Sequence, residues 1–260
     1  MAPAWRFRLP GKRYDPHIYI TNLSDANPIR LTSDVFPDFQ PVFSTGGTRP
    51  AFFRRAGGPL RVVVTPSEGG VEHQVGEVMD FLYESALMTW DADGQNLVVS
   101  DRPGESRGIA LFQFSVENGA RRQITFPPDG ASDSMHAVSP DGRTLGCARS
   151  LPTGRGDLWP IPLAGGPVRR LTTSNELIYC WSWTADGRDL LVGHRRSGRA
   201  HLWRQPAEGG PQVRVDGLDD QVMELSVART GNRIATCRAI WKTTMSGDIQ
   251  CHRQETRPNR

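Results

Sequence analysis

Lysine is almost absent from this chain: Lys12 and Lys242 are the only two among 31 basic residues, the rest being arginine. With 28 acidic residues the net charge is only +3, which excludes a broad polycationic surface, and the arginine skew reads as genomic base composition. The paired arginines Arg54-Arg55, Arg121-Arg122, Arg169-Arg170 and Arg195-Arg196 are expected as solvated charges at sheet edges, where they deter edge pairing, in preference to a phosphate-binding stripe. Cysteine is sparse. Cys147, Cys180, Cys237 and Cys251 form no CxxC pair, which excludes a zinc ribbon and a disulfide-stapled scaffold and leaves buried free thiols. The six histidines show no HxxxH spacing, so no metal is expected. No apolar run is long enough to span a bilayer, and no charged-then-apolar leader opens the chain; a soluble domain is expected, with cytoplasm and periplasm both open. Also missing are a GxSxG elbow, a phosphate loop ending in Lys-Ser/Thr and a dinucleotide fingerprint. Neither catalytic residues nor a cofactor are therefore expected. The one helical candidate, 75–88, lacks a clean 3.6-residue stripe.

What the chain does have is a turn written five times: Ser44-Thr45-Gly46-Gly47, Asp91-Ala92-Asp93-Gly94, Ser139-Pro140-Asp141-Gly142, Thr184-Ala185-Asp186-Gly187 and Ala228-Arg229-Thr230-Gly231. The last glycines stand 47, 48, 45 and 44 residues apart, a spacing that marks stacked or radially arranged units. Each turn lies between a segment ending in Phe43, Trp90, Val138, Trp183 or Val227 and an apolar segment such as Leu97-Val98-Val99, so each unit begins strand, hairpin, strand. A third strand reads at 17–20, 60–64, 110–114, 157–159 and 201–203, with a weaker copy at 248–250. A small-residue turn follows, and then a fourth strand with the pattern Arg30-Leu31-Thr32, Gln123-Ile124-Thr125 or Arg170-Leu171-Thr172. Four short strands per period of this length predict an all-β chain, a β-propeller of about six four-stranded blades. The first blade is expected to be incomplete at the N-terminus, with Ala4 to Leu9 serving as a second strand without its inner partner. The tryptophans Trp90, Trp159, Trp181, Trp183 and Trp203 are expected as wedges between blades.

The pieces Val138-Ser139-Pro140-Asp141-Gly142-Arg143, Gly165-Gly166-Pro167-Val168-Arg169-Arg170-Leu171-Thr172 and Trp183-Thr184-Ala185-Asp186-Gly187-Arg188 resemble the TolB-type, WD-like propeller repeat. Departures fall at Ser44 to Gly47 and Arg229 to Gly231, which lack the Pro-Asp pair. The resemblance implies a single propeller over 1–252, with 253–260 as a disordered tail. The order of repeats is most similar to propellers at the C-terminal end of CadC-type winged-helix regulators and of some bacterial kinases. It implies a monomeric domain of a longer bacterial signalling or regulatory protein.

Aligned on the turn glycine, the channel-facing candidates at the start of each inner strand are Asp38 and Gln40, Glu84 and Ser85, Asp133 and His136, Tyr179, and Gln221 and Glu224. Their carboxylates predict an acidic mouth that prefers cationic ligands, and Asp38, Asp133 and Glu224 are expected to be removable without loss of the fold. The leading expectation is a non-enzymatic recognition or sensor module for a protein or peptide partner of unknown identity, touching neither nucleic acid nor membrane. Two alternatives remain. One is the gating propeller of a prolyl-oligopeptidase-type serine peptidase without its hydrolase domain; the other is a free periplasmic TolB-like component. The spelling Arg155-Gly156-Asp157 is read as a coincidence in the loop between a second and a third strand.

Overall fold

The repeated turns close their hairpins as their spelling requires. The final glycine takes a φ of +71° at Gly47, +70° at Gly94, +74° at Gly142 and +69° at Gly187, a region open to glycine at little steric cost. The first residue of each of these four turns binds a backbone N–H on the far side of the hairpin. Ser44 Oγ accepts from Arg49 at 3.1 Å, Asp91 Oδ1 from Asn96 at 3.1 Å, Ser139 Oγ from Thr144 at 2.9 Å and Thr184 Oγ1 from Asp189 at 3.1 Å. Any short side chain with an acceptor oxygen serves there, which is why serine, threonine and aspartate interchange at that position.

The computed structural model describes residues 17–22, 25–79, 87–104, 108–196, 199–216, 222–228, 234–239 and 249–252. The segment expected as a second strand at 4–9, the fifth turn glycine and the tail at 253–260 lie outside them. All regular structure among the described residues is β, and the chain divides into two compact units, Met1–Asp129 and Gly130–Arg260. In the first unit, β1 (Tyr19–Asn22) pairs with β2 (Asp25–Arg30). A four-stranded antiparallel meander follows, of β3 (Asp38–Phe43), β4 (Pro50–Arg55), β5 (Leu60–Val64) and β6 (His73–Val78). The next meander is β7 (Met88–Trp90), β8 (Asn96–Asp101), β9 (Ala110–Ser115) and β10 (Arg121–Gln123). In the second unit, β11 (Ser132–Val138), β12 (Thr144–Ser150), β13 (Arg155–Pro162), β14 (Glu176–Trp183), β15 (Asp189–Arg196), β16 (Arg199–Pro206) and β17 (Val213–Arg214) form one seven-stranded sheet. A three-stranded sheet of β18 (Val222–Val227), β19 (Ile234–Ala239) and β20 (Ile249–His252) completes the order.

Two expectations are corrected here. Arg170-Leu171-Thr172 is not a strand, although Leu171 N–H still reaches Leu158 O at 2.8 Å. The segment leading into it contains Pro167, which has no N–H to give to a ladder. β14 pairs with the first two residues of β13, through Arg155↔Leu177 and Gly156↔Glu176, and so two repeats share one sheet, while Leu171 and Thr172 stay on Leu158. Arg155-Gly156-Asp157 is the beginning of β13 rather than a loop. Gly156 and Asp157 are buried, and a Cβ on Gly156 would lie 2.1 Å from Arg149 O; the tripeptide is therefore structural. In the stretch 75–88, Val75 to Val78 lie in β6 and Met88 opens β7, while 80–86 fall outside the described residues.

Within each unit the sheets pack face to face through both surfaces of their middle strands, so Ala51, Phe52 and Phe53 are consecutive and all fully buried. Tryptophan locks the stack. Trp90 Nε1 donates to Val42 O at 3.1 Å in the first unit, and Trp183 Nε1 donates to Ala137 O at 3.1 Å in the second. Each indole stands just before its turn and reaches the inner strand of the preceding repeat two residues before that repeat's turn. A second repeated device explains the threonine of the Arg-Leu-Thr pattern. The buried Oγ1 of Thr32, Thr125 and Thr172 accepts from the N–H of Ile18 (3.1 Å), Leu111 (2.9 Å) and Leu158 (3.0 Å). It latches the end of the fourth segment onto the start of the third.

Candidate functional site

Where the inner strands begin, their ladders are interrupted. Register shifts fall between Phe39 and Val42 in β3, Ser134 and Ala137 in β11, Ile178 and Cys180 in β14, and Val222 and Glu224 in β18. In the first two, Gln40 (φ 52°) and Met135 (φ 48°) hold left-handed backbone; both stand seven residues before their turn glycine, Gly47 and Gly142. A bulge of this kind bends the strand and re-aims the residues before it. Gln40, His136 and Tyr179 all sit on these bulges, half-buried except for His136, which is buried. Glu224 follows the bulge of β18, and Glu84, Ser85 and Gln221 lie outside the described residues.

The carboxylates upstream of the bulges are not the free acids of an open mouth. Asp38 is buried opposite Arg54 and receives Nε at 2.7 Å and Nη2 at 3.0 Å. Asp133, fully buried, faces Arg149 in the same way, with Nε at 2.6 Å and Nη2 at 2.8 Å. Both pairs couple the residue nine before the turn glycine to the residue seven after it, and both are bidentate, the arrangement that best repays desolvation. The expected solvated acidic mouth is corrected on this point. Arg54 is likewise corrected from a solvated edge charge to a buried one. Besides Asp38 it binds Asp34 (Nη1 to Oδ2, 3.0 Å) and Glu72 (Nη1 to Oε2, 2.5 Å). Burial works against its charge, but the hydrogen bonds and charges of Asp38 and Glu72 outweigh that and raise its pKa above the ordinary value. The hydrogen bond to Asp133 raises that of Arg149, against desolvation.

Three carboxylates around one guanidinium leave the Arg54 cluster with an excess of negative charge. Its solvent-facing members are Asp34 and Glu72, neither of which sequence alignment of the inner strands singled out. Both units have aromatic covers: Arg54 lies 5.4 Å from the Phe52 ring. Arg149 lies 4.7 Å from the Trp159 ring, and the His194 ring stacks on Trp203 at 5.4 Å and 11°. These two tryptophans thus lie on the residues that face the inner-strand starts, whereas Trp90, Trp181 and Trp183 are the buried wedges. His194 occupies the position of Arg149 in the next hairpin, and Ile178 faces it in the position of Asp133. Cys147 is buried and free, and desolvation pushes its thiol pKa well above the ordinary value, as does the nearby Asp133; it is an inert packing group. Among the described residues no group of three or more histidine, cysteine or acidic side chains is placed to hold a metal ion.

No protein-family model matches the sequence. Solved structures do match the fold. TolB of Acinetobacter baumannii superposes with a TM-score of 0.63 at 15% identity, over 85% of this chain and 56% of that one. An oligogalacturonate lyase of Vibrio parahaemolyticus gives 0.58 at 15% identity, over 90% of this chain and 71% of its own. A puromycin-hydrolysing peptidase of Mycobacterium tuberculosis gives 0.67 at 17% identity, over 94% of this chain and 43% of its own. The chain therefore spans a little over half of the TolB protein and less than half of the peptidase. The fold is a TolB-like β-propeller. Identities this low carry no activity with them, and these neighbours themselves differ in function.

Proposed function

We propose that this chain is a non-enzymatic recognition module that binds a protein or peptide partner at the end of the sheets where the inner strands begin. One observation carries this reading. Features that build the fold recur with one chemistry: the turn oxygen in four repeats, the threonine latch in three, and the indole before the turn in two. The facing positions nine before and seven after the turn glycine change chemistry, an ion pair in two of the four described pairs and an apolar residue opposite a basic one or a histidine in the other two. They hold Asp38 with Arg54, Asp133 with Arg149, Ile178 with His194, and Val222 with Arg238. Since isoleucine and valine fill the same place, the fold does not need an aspartate there, and a buried ion pair is weak evidence for stability. Residues that vary on a constant scaffold are what recognition draws on.

The resemblance of the repeats to propellers of winged-helix regulators and kinases supports placing the module in a larger bacterial signalling or regulatory protein. A second reading is favoured by the alignment with the peptidase, which takes in nearly all of this chain and under half of the other: a propeller that accompanies a serine-peptidase domain. The two readings separate on binding, because a propeller that only accompanies a peptidase domain gives, as a separate chain, neither turnover nor a basic-peptide isotherm. The purified chain is offered p-nitrophenyl esters and aminoacyl-naphthylamides, and in parallel a basic peptide over a range of salt. The recognition module gives no turnover above buffer and a binding isotherm that weakens as salt rises, because exposed charges are screened over about 8–10 Å. Turnover abolished by a point substitution overturns it.

A further inference from the structure

Exposed apolar side chains in the first unit are not scattered. Among its described residues the exposed large apolar ones are Ile29, Val35, Phe36, Val71, Met79 and Phe126. Four of these six stand on the three connections that leave an outer strand for the next inner one, after β2, β6 and β10. Single exposed apolar residues need no explanation, whereas a set gathered at one end of successive sheets does. The exposures are large: 88% at Val35, 36% at Phe36, 51% at Met79 and 74% at Phe126.

These side chains are held out by pinned backbone. Asp34 Oδ1 accepts from Phe36 N–H at 3.3 Å while its Oδ2 binds Arg54, and Arg55 N–H donates to Pro37 O at 2.9 Å, so the connection bearing Val35 and Phe36 is tied at both ends. The N–H of Met79 is held by buried Asp101 Oδ1 at 2.9 Å, and Asp101 is itself paired with Arg121 at 2.7 Å. Phe126 follows the Thr125 latch directly and precedes Pro127 and Pro128, whose fixed φ stiffens the chain. Side chains presented on rigid backbone lose little entropy when they are covered. Acidic groups lie beside them: the Asp34 and Glu72 carboxylates in excess over Arg54, and exposed Asp129 three residues after Phe126.

We propose that the described residues Val35, Phe36, Met79 and Phe126, with Asp34, Glu72 and Asp129, form a docking surface for an extended polypeptide segment that carries large apolar side chains interleaved with arginine or lysine. The apolar residues of the segment cover Phe36, Met79 and Phe126, and its cations meet Asp34, Glu72 and Asp129. The carboxylates disfavour the other natural occupant of an exposed apolar end, an anionic lipid surface. This inference rests on the recognition-module reading and adds to it the place and the chemistry of the partner.

The test is selection of a phage-displayed dodecapeptide library on the immobilised chain. The enriched peptide is then synthesised and titrated against variants of matched melting temperature. The expected result is a consensus mixing basic and aromatic or aliphatic residues. Its affinity falls roughly tenfold or more in the double variant Phe36→Ser/Phe126→Ser, falls with salt and with Asp129→Asn, and is unchanged in Val168→Ser/Val213→Ser, whose exposed residues lie elsewhere. An acidic consensus, or binding insensitive to the Phe36 and Phe126 change, overturns the docking surface and leaves the recognition reading standing. Enrichment of nothing, together with ester or amide turnover, overturns both. Flotation with phosphatidylglycerol vesicles that is lost in the same double variant identifies a membrane as the occupant and overturns the peptide.

Discussion

Replacing Asp133 by alanine is the perturbation that most directly tests the account of the strand-start positions. Asp133 is fully buried and gives both carboxylate oxygens to Arg149. The substitution strands a guanidinium whose side chain is only 16% exposed, against the Trp159 ring. Removing one partner of a fully buried pair costs about 3–5 kcal/mol; the residual exposure of Arg149 lets water recover part of that, so the expectation is about 2–4 kcal/mol. Replacing both partners, Asp133→Val/Arg149→Leu, removes the charge as well as its mate and brings the loss to within about 1 kcal/mol of the original chain, as the apolar Ile178 and Val222 in the same place suggest. Asp38→Ala is expected to cost less than Asp133→Ala, about 1–2 kcal/mol, because Arg54 keeps Asp34 and Glu72. Urea melts followed by tryptophan fluorescence and circular dichroism give all three values. A double variant as unstable as Asp133→Ala, or an Asp38→Ala loss exceeding that of Asp133→Ala, refutes the reasoning. Asp38 and Asp133, expected to be removable without loss of the fold, are thus predicted to cost stability when removed.

Trp183→Ala should cost roughly 3–5 kcal/mol through the cavity it leaves between repeats, and Trp183→Phe, which keeps most of the volume but orphans Ala137 O, about 1–2 kcal/mol; equal losses in denaturant melts would show that the indole N–H carries the whole effect. The pKa values of Asp141 and Asp186 lie below the usual 3.8, chiefly through the hydroxyls of Ser139 and Thr184. Depressed carboxyl values stabilise the folded chain above the unfolded pKa, and that contribution is lost as pH falls through the folded values. Asp141→Asn/Asp186→Asn should therefore flatten the acid limb below about pH 4, and a melting temperature with unaltered pH dependence there would contradict it.

The periodic turn was legible because its chemistry is local. A glycine at positive φ and an acceptor oxygen three residues earlier act within a few residues, so their spacing alone predicts a run of hairpins and an all-β chain. The indoles at 90 and 183 were legible for a related reason: they keep a constant offset from the turn. The residues facing the inner-strand starts follow from the same register, since a fixed turn sets Asp38 against Arg54 and Asp133 against Arg149, and Arg54 was missed because adjacent arginines read as edge charge. Burial is what the sequence leaves open. Whether an aspartate at a strand start meets water or an arginine depends on how the next strand and the next sheet cover it, and that is a property of packing. The same holds for the start of β13, where β14 from the following repeat pairs with Arg155 and Gly156. Local chemistry determined the repeat, and long-range packing decided which of its polar residues were hidden and which were left exposed.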